Sequence, residues 1–173
     1  MPFTPFHFGP GVALKALAPS YYSFSVFVFV QILIDIEPLY YMLHGEWPVH
    51  RFFHTYLGAT LVAIAGFLLG RPLCGVFLML LQNRLRPTRQ CFVDGFGHIN
   101  NIAALSGAFI GSYSHVALDS IMHIDVQPFV PFSTEIIIFN SITVMELHVY
   151  CTIAGVVGAI GMGFWWMVWQ ERR

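Results

Sequence analysis

Long apolar runs with almost no charge recur along the chain and constrain its fold more than any other feature. They cover residues 3–18, 21–34, 56–70, 99–122 and 144–169. Of the 173 residues, 57% are apolar and only 10% are charged, and the mean hydropathy is +0.68. A small water-soluble domain cannot bury so much apolar surface. The sequence therefore predicts a single all-α integral-membrane domain over residues 1–173, with about four to five membrane-embedded helices.

Prolines mark the expected breaks between these runs. The first two runs should form a short N-terminal helical hairpin that turns at Pro19. We expect the second run to stop before Pro38, because proline disfavours helix at the residue before it. The third run should stop at Arg71-Pro72, and residues 73–86 then fit either a surface-lying amphipathic helix or the completion of a longer span. Residues 39–53 and 87–98 are expected to be loops.

The distribution of basic residues predicts how the chain crosses the membrane. The net charge is −1 and no basic patch is present, so a nucleic-acid partner is not expected. The basic residues that share one expected side are Lys15, Arg71, Arg84, Arg86, Arg89, Arg172 and Arg173, and only Arg51 falls on the other. Because basic loops stay in the cytoplasm, we expect a cytoplasmic C-terminus and an external N-terminus.

With this topology, most of the histidines and acids gather at the outer ends of the apolar runs. They are His7, Asp35, Glu37, His44, His50, His54, His115, Asp119, His123, Asp125 and His148, whereas Asp94 and His98 fall on the inner side. Ionisable groups at membrane depth are costly, so such a cluster indicates a functional site.

The spacing of these residues predicts a metal site. His50 and His54 are four residues apart, as are His115 and Asp119, so each pair should share one helix face. Imidazoles and carboxylates together are the ligands of Zn, Mn or Fe sites. The scattered Cys74, Cys91 and Cys151 predict no thiolate site or disulfide framework. The expected ligands, sufficient for one or two divalent ions, are His7, Asp35, His50, His54, His115 and Asp119.

Four short motifs in the same order resemble the family of membrane-bound metal-dependent hydrolases that includes the YdjM-like inner-membrane proteins of bacteria. The motifs are Thr4-Pro5-Phe6-His7, Ile34-Asp35-Ile36-Glu37, His50-Arg51-Phe52-Phe53-His54-Thr55 and Ser114-His115-Val116-Ala117-Leu118-Asp119, followed by a Pro-Phe-rich loop over residues 126–133. The resemblance covers about residues 4–133. It implies a divalent-metal site and a multi-pass protein of the bacterial inner membrane, with the site facing the periplasm.

The expected function is hydrolysis of an ester, amide or phosphoester in a membrane lipid or lipid-like substrate by metal-activated water. Glu37 or Asp35 would act as general base if not a ligand. Arg51 would stabilise developing negative charge, unless it only pairs with Glu37 or Asp35. Two rival functions stay open. One is a non-catalytic scaffold or assembly protein with a structural His/Asp cluster. The other is a metal or proton transporter, which would need polar residues in both halves of the membrane.

Overall fold

A computed structural model describes residues 5–85, 99–136 and 138–171 of the chain. The helices are α1 (Phe8–Leu17, after a 3₁₀ turn at Pro5–His7), α2 (Phe24–Leu43), α3 (Tyr56–Ala65), α4 (Arg71–Leu85), α5 (Asn101–Met122) and α6 (Val144–Glu171). The predicted loop at residues 87–98, together with Arg86, Arg172 and Arg173, lies outside the described residues.

The expected all-α membrane architecture is confirmed, with no strand among the residues described. Within them, three helical stretches are long and apolar enough to cross a membrane: Phe24–Leu43, Tyr56–Leu81 and Val144–Trp165. The α5 helix has 22 residues but is not one of the three, because its small and polar side chains lower its hydropathy. The side of the membrane that each end faces stays a prediction.

The core lies where α2 packs against α5, with α3 packed on α5 from another side. Val30 and Ile34 of α2 are fully buried and belong to one apolar cluster with Ala104 and Ala108 of α5. A Cβ on Gly107 would meet the Ser23 carbonyl oxygen at 2.4 Å, so only glycine permits this approach of the two backbones. The small residues of the fourth run therefore allow close helix packing, as expected for membrane helices.

The short helix α1 packs mainly on α6, the last helix of the chain. A Cβ on Gly9 would meet the Cys151 carbonyl oxygen at 1.9 Å, so this pair also depends on glycine for its contact. The opposite side of α6 carries a band of exposed apolar side chains: Val149, Ile153, Val156, Val157, Ile160 and Phe164. In a bilayer this band would face lipid.

Two expected helix ends are wrong. The α2 helix continues through Pro38 to Leu43, so the predicted loop begins only after residue 43. Pro38 removes one hydrogen bond, to the carbonyl of Ile34, but a packed membrane helix tolerates this loss. The third helix does not stop at Arg71-Pro72 either. It passes through a π-helical segment, Gly66–Gly70, into α4, so of the two alternatives for residues 73–86 the structure agrees with the completion of a longer span.

The π-helical segment explains why Pro72 does not end the third helix. Pro72 stands in the first turn of α4, directly after this segment, and proline is tolerated in a first helical turn. Arg71, expected beside the membrane, instead lies within the continuous helix and donates from Nε to the Ile99 carbonyl oxygen at 2.9 Å.

Candidate metal centre

Four buried side chains meet at one end of the helix bundle. Asp35 comes from α2, His54 precedes α3, and His115 and Asp119 lie one turn apart on α5. One ligand atom from each of these residues lies within 4.8 Å of the corresponding atom in every other, and each residue is at most 6% exposed. We call these four residues the central cluster.

The distances inside the central cluster match those between ligands of a single ion. His115 Nε2 lies 3.2 Å from Asp119 Oδ2 and 3.3 Å from Asp35 Oδ1. His54 Nε2 lies 3.3 Å from the same Asp119 oxygen. Two ligands about 2.0–2.1 Å from a tetrahedral ion are themselves about 3.3 Å apart. The spacing therefore fits a first-row divalent cation.

The His54 and His115 rings each have an oxygen acceptor at Nδ1, the ring nitrogen that points away from the other members of the central cluster. His54 Nδ1 lies 3.3 Å from Glu37 Oε2, and His115 Nδ1 lies 2.5 Å from Gln31 Oε1. Carboxylate and amide oxygens accept, so each Nδ1 carries the proton and, in the neutral ring, Nε2 presents a lone pair. An oxygen acceptor behind each histidine is the usual outer shell of a protein metal site.

The atoms that face the centre of the cluster have no aligned partners of their own. Among the described residues, His54 Nε2, His115 Nε2 and Asp119 Oδ1 are buried without a hydrogen bond. Buried polar atoms in proteins are nearly always paired, and an unpaired group costs about 1–3 kcal/mol. The two unpaired Nε2 atoms converge on Asp119 Oδ2, and the unpaired Asp119 Oδ1 lies on the side of His7, so the residues present are suited to holding a metal ion.

His7 joins the central cluster at its edge. Its Nε2 lies 3.5 Å from Asp119 Oδ1, and its ring meets the His115 ring edge-on with centroids 5.1 Å apart. Burial lowers the pKa of His7 to about 4, which the Asp119 charge only partly opposes. A neutral imidazole beside a carboxylate can act as an additional ligand.

The carboxylates in and beside the central cluster favour a compensating positive charge. Burial lowers the pKa of His54, but its hydrogen bonds to Asp119 and Glu37 and the charge of Asp119 outweigh burial and raise the pKa. The carboxylates therefore attract a positive charge, which either a proton on His54 or a bound metal ion supplies.

The structure places His50 differently from the sequence expectation. His50 and His54 do not share a helix face, because α3 begins only after its N-cap Thr55, whose side chain accepts from Gly58 N. In this loop the two rings still touch, with centroids 4.6 Å apart. His50 lies in a second group with His123 and Asp125, whose ligand atoms also lie within 4.8 Å of one another.

This second group, His50, His123 and Asp125, lies beside two clefts, and we call it the cleft cluster. His50 Nδ1 and Asp125 Oδ1 are 2.9 Å apart, and Asp125 Oδ2 accepts from the backbone N–H groups of Val49 and His50. Burial, followed by the charge of His54, lowers the pKa of His50 to about 4. Clefts of about 590 and 490 Å³ are both bordered by His50 and Asp125.

Of the expected catalytic residues, Glu37 of α2 lies next to the loop that carries His54, and Arg51 belongs to that loop. Glu37 accepts hydrogen bonds from the backbone N–H groups of Arg51 and Phe53 as well as contacting His54. The Arg51 guanidinium pairs with Glu46 at 2.8 Å and covers the Tyr41 ring at 3.5 Å. Its side-chain ion partner is thus Glu46, and it lines the larger cleft.

Three residues belong to the site or contact it, although the sequence argument did not assign them a role there. Gln31 is 2% exposed inside the apolar α2 helix, one turn before Asp35. That spacing was a readable signal, since a glutamine in a membrane span needs a partner. His123 and Asp125 stood in the outer polar set, but their proximity to His50 depends on the end of α5, where His123 leaves the helix.

The remaining polar residues of the outer set lie at the margin. His44 is exposed, with its Nδ1 2.8 Å from the Tyr40 carbonyl oxygen, and His148 stacks on Phe6. Asp94 and His98 lie outside the described residues.

Comparison with protein-family models, curated proteins and solved structures finds no match to this chain. The resemblance to membrane-bound metal-dependent hydrolases therefore stays a prediction.

Proposed function

We propose that this protein is a membrane-embedded metal-dependent hydrolase that cleaves an ester, amide or phosphoester bond in a lipid-like substrate. The observation that carries the proposal is the convergence of two unpaired Nε2 atoms with carboxylate oxygens in the central cluster. His54, His115 and Asp119 would hold the ion, with His7 and Asp35 at its edge. The sequence resemblance supports the same class of protein.

When bound, a divalent ion supplies Lewis acidity and lowers the pKa of water to about 7. The side chains of the protein would orient the metal ligands and accept the proton. Gln31 and Glu37 keep the His115 and His54 rings oriented, each through a hydrogen bond to Nδ1. Because the Glu37 oxygens already accept from the loop backbone, we assign Glu37 a positioning role. Asp35 of α2, whose Oδ1 lies 3.3 Å from His115 Nε2, is then the better placed proton acceptor.

The clefts beside the site suit a substrate that is apolar with a polar end. The larger one is lined by Trp47, Phe52, Ile124 and Val130, together with the charged Arg51 and Asp125. Apolar walls would hold hydrocarbon, and the Arg51 guanidinium at the rim would contact an anionic oxygen. Its position over Tyr41 fixes the plane of the guanidinium.

Hydrolysis can be measured on the full chain in detergent with supplied Zn²⁺. Three chromogenic substrates, a medium-chain nitrophenyl ester, a nitrophenyl phosphodiester and an acyl nitroanilide, cover the proposed bond types. We expect cleavage of at least one by wild type and by His44→Ala, whose imidazole is exposed. The rate should fall to background in His115→Ala. Equal rates in both variants, or no cleavage of any substrate, would contradict a hydrolase.

One observation favours a second candidate, a scaffold with a structural cluster. The raised pKa of His54, which follows from Asp119 and Glu37 despite burial, would let a proton neutralise the carboxylates without any metal. A scaffold of this kind should purify without stoichiometric ions even after Zn²⁺ is supplied. Metal content therefore distinguishes the two functions before any activity is measured.

A further inference from the structure

We propose that the cleft cluster of His50, His123 and Asp125 is a second divalent-metal site, separate from the central cluster. Its three side chains come from two distant segments, the loop before α3 and the segment that follows α5. No helix periodicity joins them, so only the fold brings two imidazoles and one carboxylate within 4.8 Å of one another.

The carboxylate of this cluster is fixed in direction. Asp125 Oδ2 accepts from two consecutive backbone N–H groups, of Val49 and His50, each at 3.1 Å. This leaves Asp125 Oδ1 directed at the His50 ring, 2.9 Å from Nδ1. The two side chains are only 7% and 6% exposed. A carboxylate oxygen held in this way needs little reorganisation to bind a cation.

The two imidazoles are arranged side by side. The His50 and His123 rings are stacked, with centroids 4.4 Å apart and planes inclined by 30°. One nitrogen of each ring lies within 4.8 Å of a nitrogen of the other ring and of an Asp125 carboxylate oxygen, which brings both imidazoles within reach of one ion. A set of two imidazoles and one carboxylate suits a borderline divalent cation such as Zn²⁺, Co²⁺ or Fe²⁺, and three protein ligands leave positions open.

The position of the cluster explains what a second ion would do. All three residues line the cleft of about 490 Å³, and His50 and Asp125 also line the larger one. His50 contacts the ring of His54, which belongs to the central cluster. An ion here would present its open positions to a ligand in the cleft, next to the buried centre, and would bind an anionic oxygen of that ligand.

Co²⁺ binding tests the second site without relying on activity. The full chain in detergent is stripped with a chelator, dialysed against Co²⁺ and analysed for bound metal and for the visible absorption of Co²⁺. We expect two ions per chain in wild type and in His44→Ala. We expect one ion in His123→Ala and in Asp125→Asn, and one of different absorption in His115→Ala, which damages the central cluster instead.

The outcomes separate this proposal from the hydrolase proposal. One ion in wild type that is lost in His115→Ala and kept in His123→Ala would overturn the second site and leave the central one standing. One ion lost in both variants would also overturn it, since the clusters would then form a single site. One ion lost only in His123→Ala and Asp125→Asn would support the cleft site while contradicting the central one. If His123→Ala does not fold, Asp125→Asn, whose amide oxygen can still accept from the loop backbone, decides the result.

Discussion

The central cluster and the cleft cluster contain the same side-chain types, histidine and aspartate. The polar atoms of these side chains have different hydrogen-bond partners in the two clusters. In the central cluster the His54 and His115 rings donate from Nδ1 to Glu37 and Gln31 behind them, and their inward-facing Nε2 atoms are left unpaired. In the cleft cluster the Asp125 carboxylate is already engaged by His50 and by two backbone N–H groups. The first arrangement is incomplete without a cation, whereas the second is also stable as a hydrogen-bonded loop anchor. The central cluster should therefore bind a metal ion more tightly.

The largest effect should come from removing a central imidazole. In His115→Ala, two buried carboxylates lose a shared nitrogen 3.2 and 3.3 Å away. We expect Zn²⁺ affinity to fall by more than about 100-fold, the upper end of the loss for an outer-shell partner. Competition with a chromophoric chelator measures the affinity, and His44→Ala serves as control. A change in Zn²⁺ affinity of less than tenfold would contradict the tighter metal binding that we expect of the central cluster.

Asp119→Asn should remove metal while keeping the fold. Asparagine is nearly isosteric with aspartate, so packing is preserved while the ligand charge disappears. We expect the tightly bound metal to be lost while the ion-free protein keeps its helical fold in detergent. Metal content and thermal unfolding in detergent are measured on one preparation. Unchanged metal with a clearly lowered melting temperature would instead favour a structural His/Asp network.

Gln31→Leu should weaken the central site without removing a ligand. The substitution deletes the acceptor of His115 Nδ1, so the ring loses the contact that fixes its tautomer. We expect an affinity loss of about 10–100-fold, as is typical for an outer-shell partner. Gln31→Glu, which keeps an acceptor at this position, should restore most of the affinity. Equal affinity in Gln31→Leu and wild type would show that Gln31 serves only packing.

The smallest effect is expected from Asp125→Asn on the stability of the metal-free protein. One amide oxygen can still accept from the backbone N–H groups of Val49 and His50, but the charge beside His50 is lost. We expect a loss of about 1 kcal/mol in unfolding free energy. Thermal unfolding after chelation measures it. A loss as large as that in His115→Ala would mean that both clusters serve mainly as structural anchors.

Much of the fold could be read from apolar runs, because lipid leaves a chain few alternatives to helices. The runs at 99–122 and 144–169 match α5 and α6 closely. The errors fall at Pro38 and Pro72, where bundle packing and a π-helical segment override the local preference of proline. Local sequence patterns carry no information about either.

The site was readable only where one element carries both residues. The interval between His115 and Asp119 is a true helix turn, so the pattern is valid there. The interval between His50 and His54 has the same length but lies in a loop ended by the Thr55 cap, so helix periodicity fails. Gln31 was absent from the candidates because its one-turn spacing to Asp35 does not reveal its partner His115, which is 84 positions away in sequence.

The metal content of the purified chain tests the central claim most directly. The full protein is stripped, supplied with Zn²⁺, dialysed in detergent and subjected to elemental analysis beside His115→Ala and His44→Ala. The convergence of ligand atoms from Asp35, His54, His115 and Asp119, among them the unpaired Nε2 atoms of both histidines, predicts stoichiometric zinc in wild type and His44→Ala. It also predicts that His115→Ala loses the tightly bound ion. Wild type without stoichiometric zinc, or His115→Ala with the wild-type amount, would contradict the account.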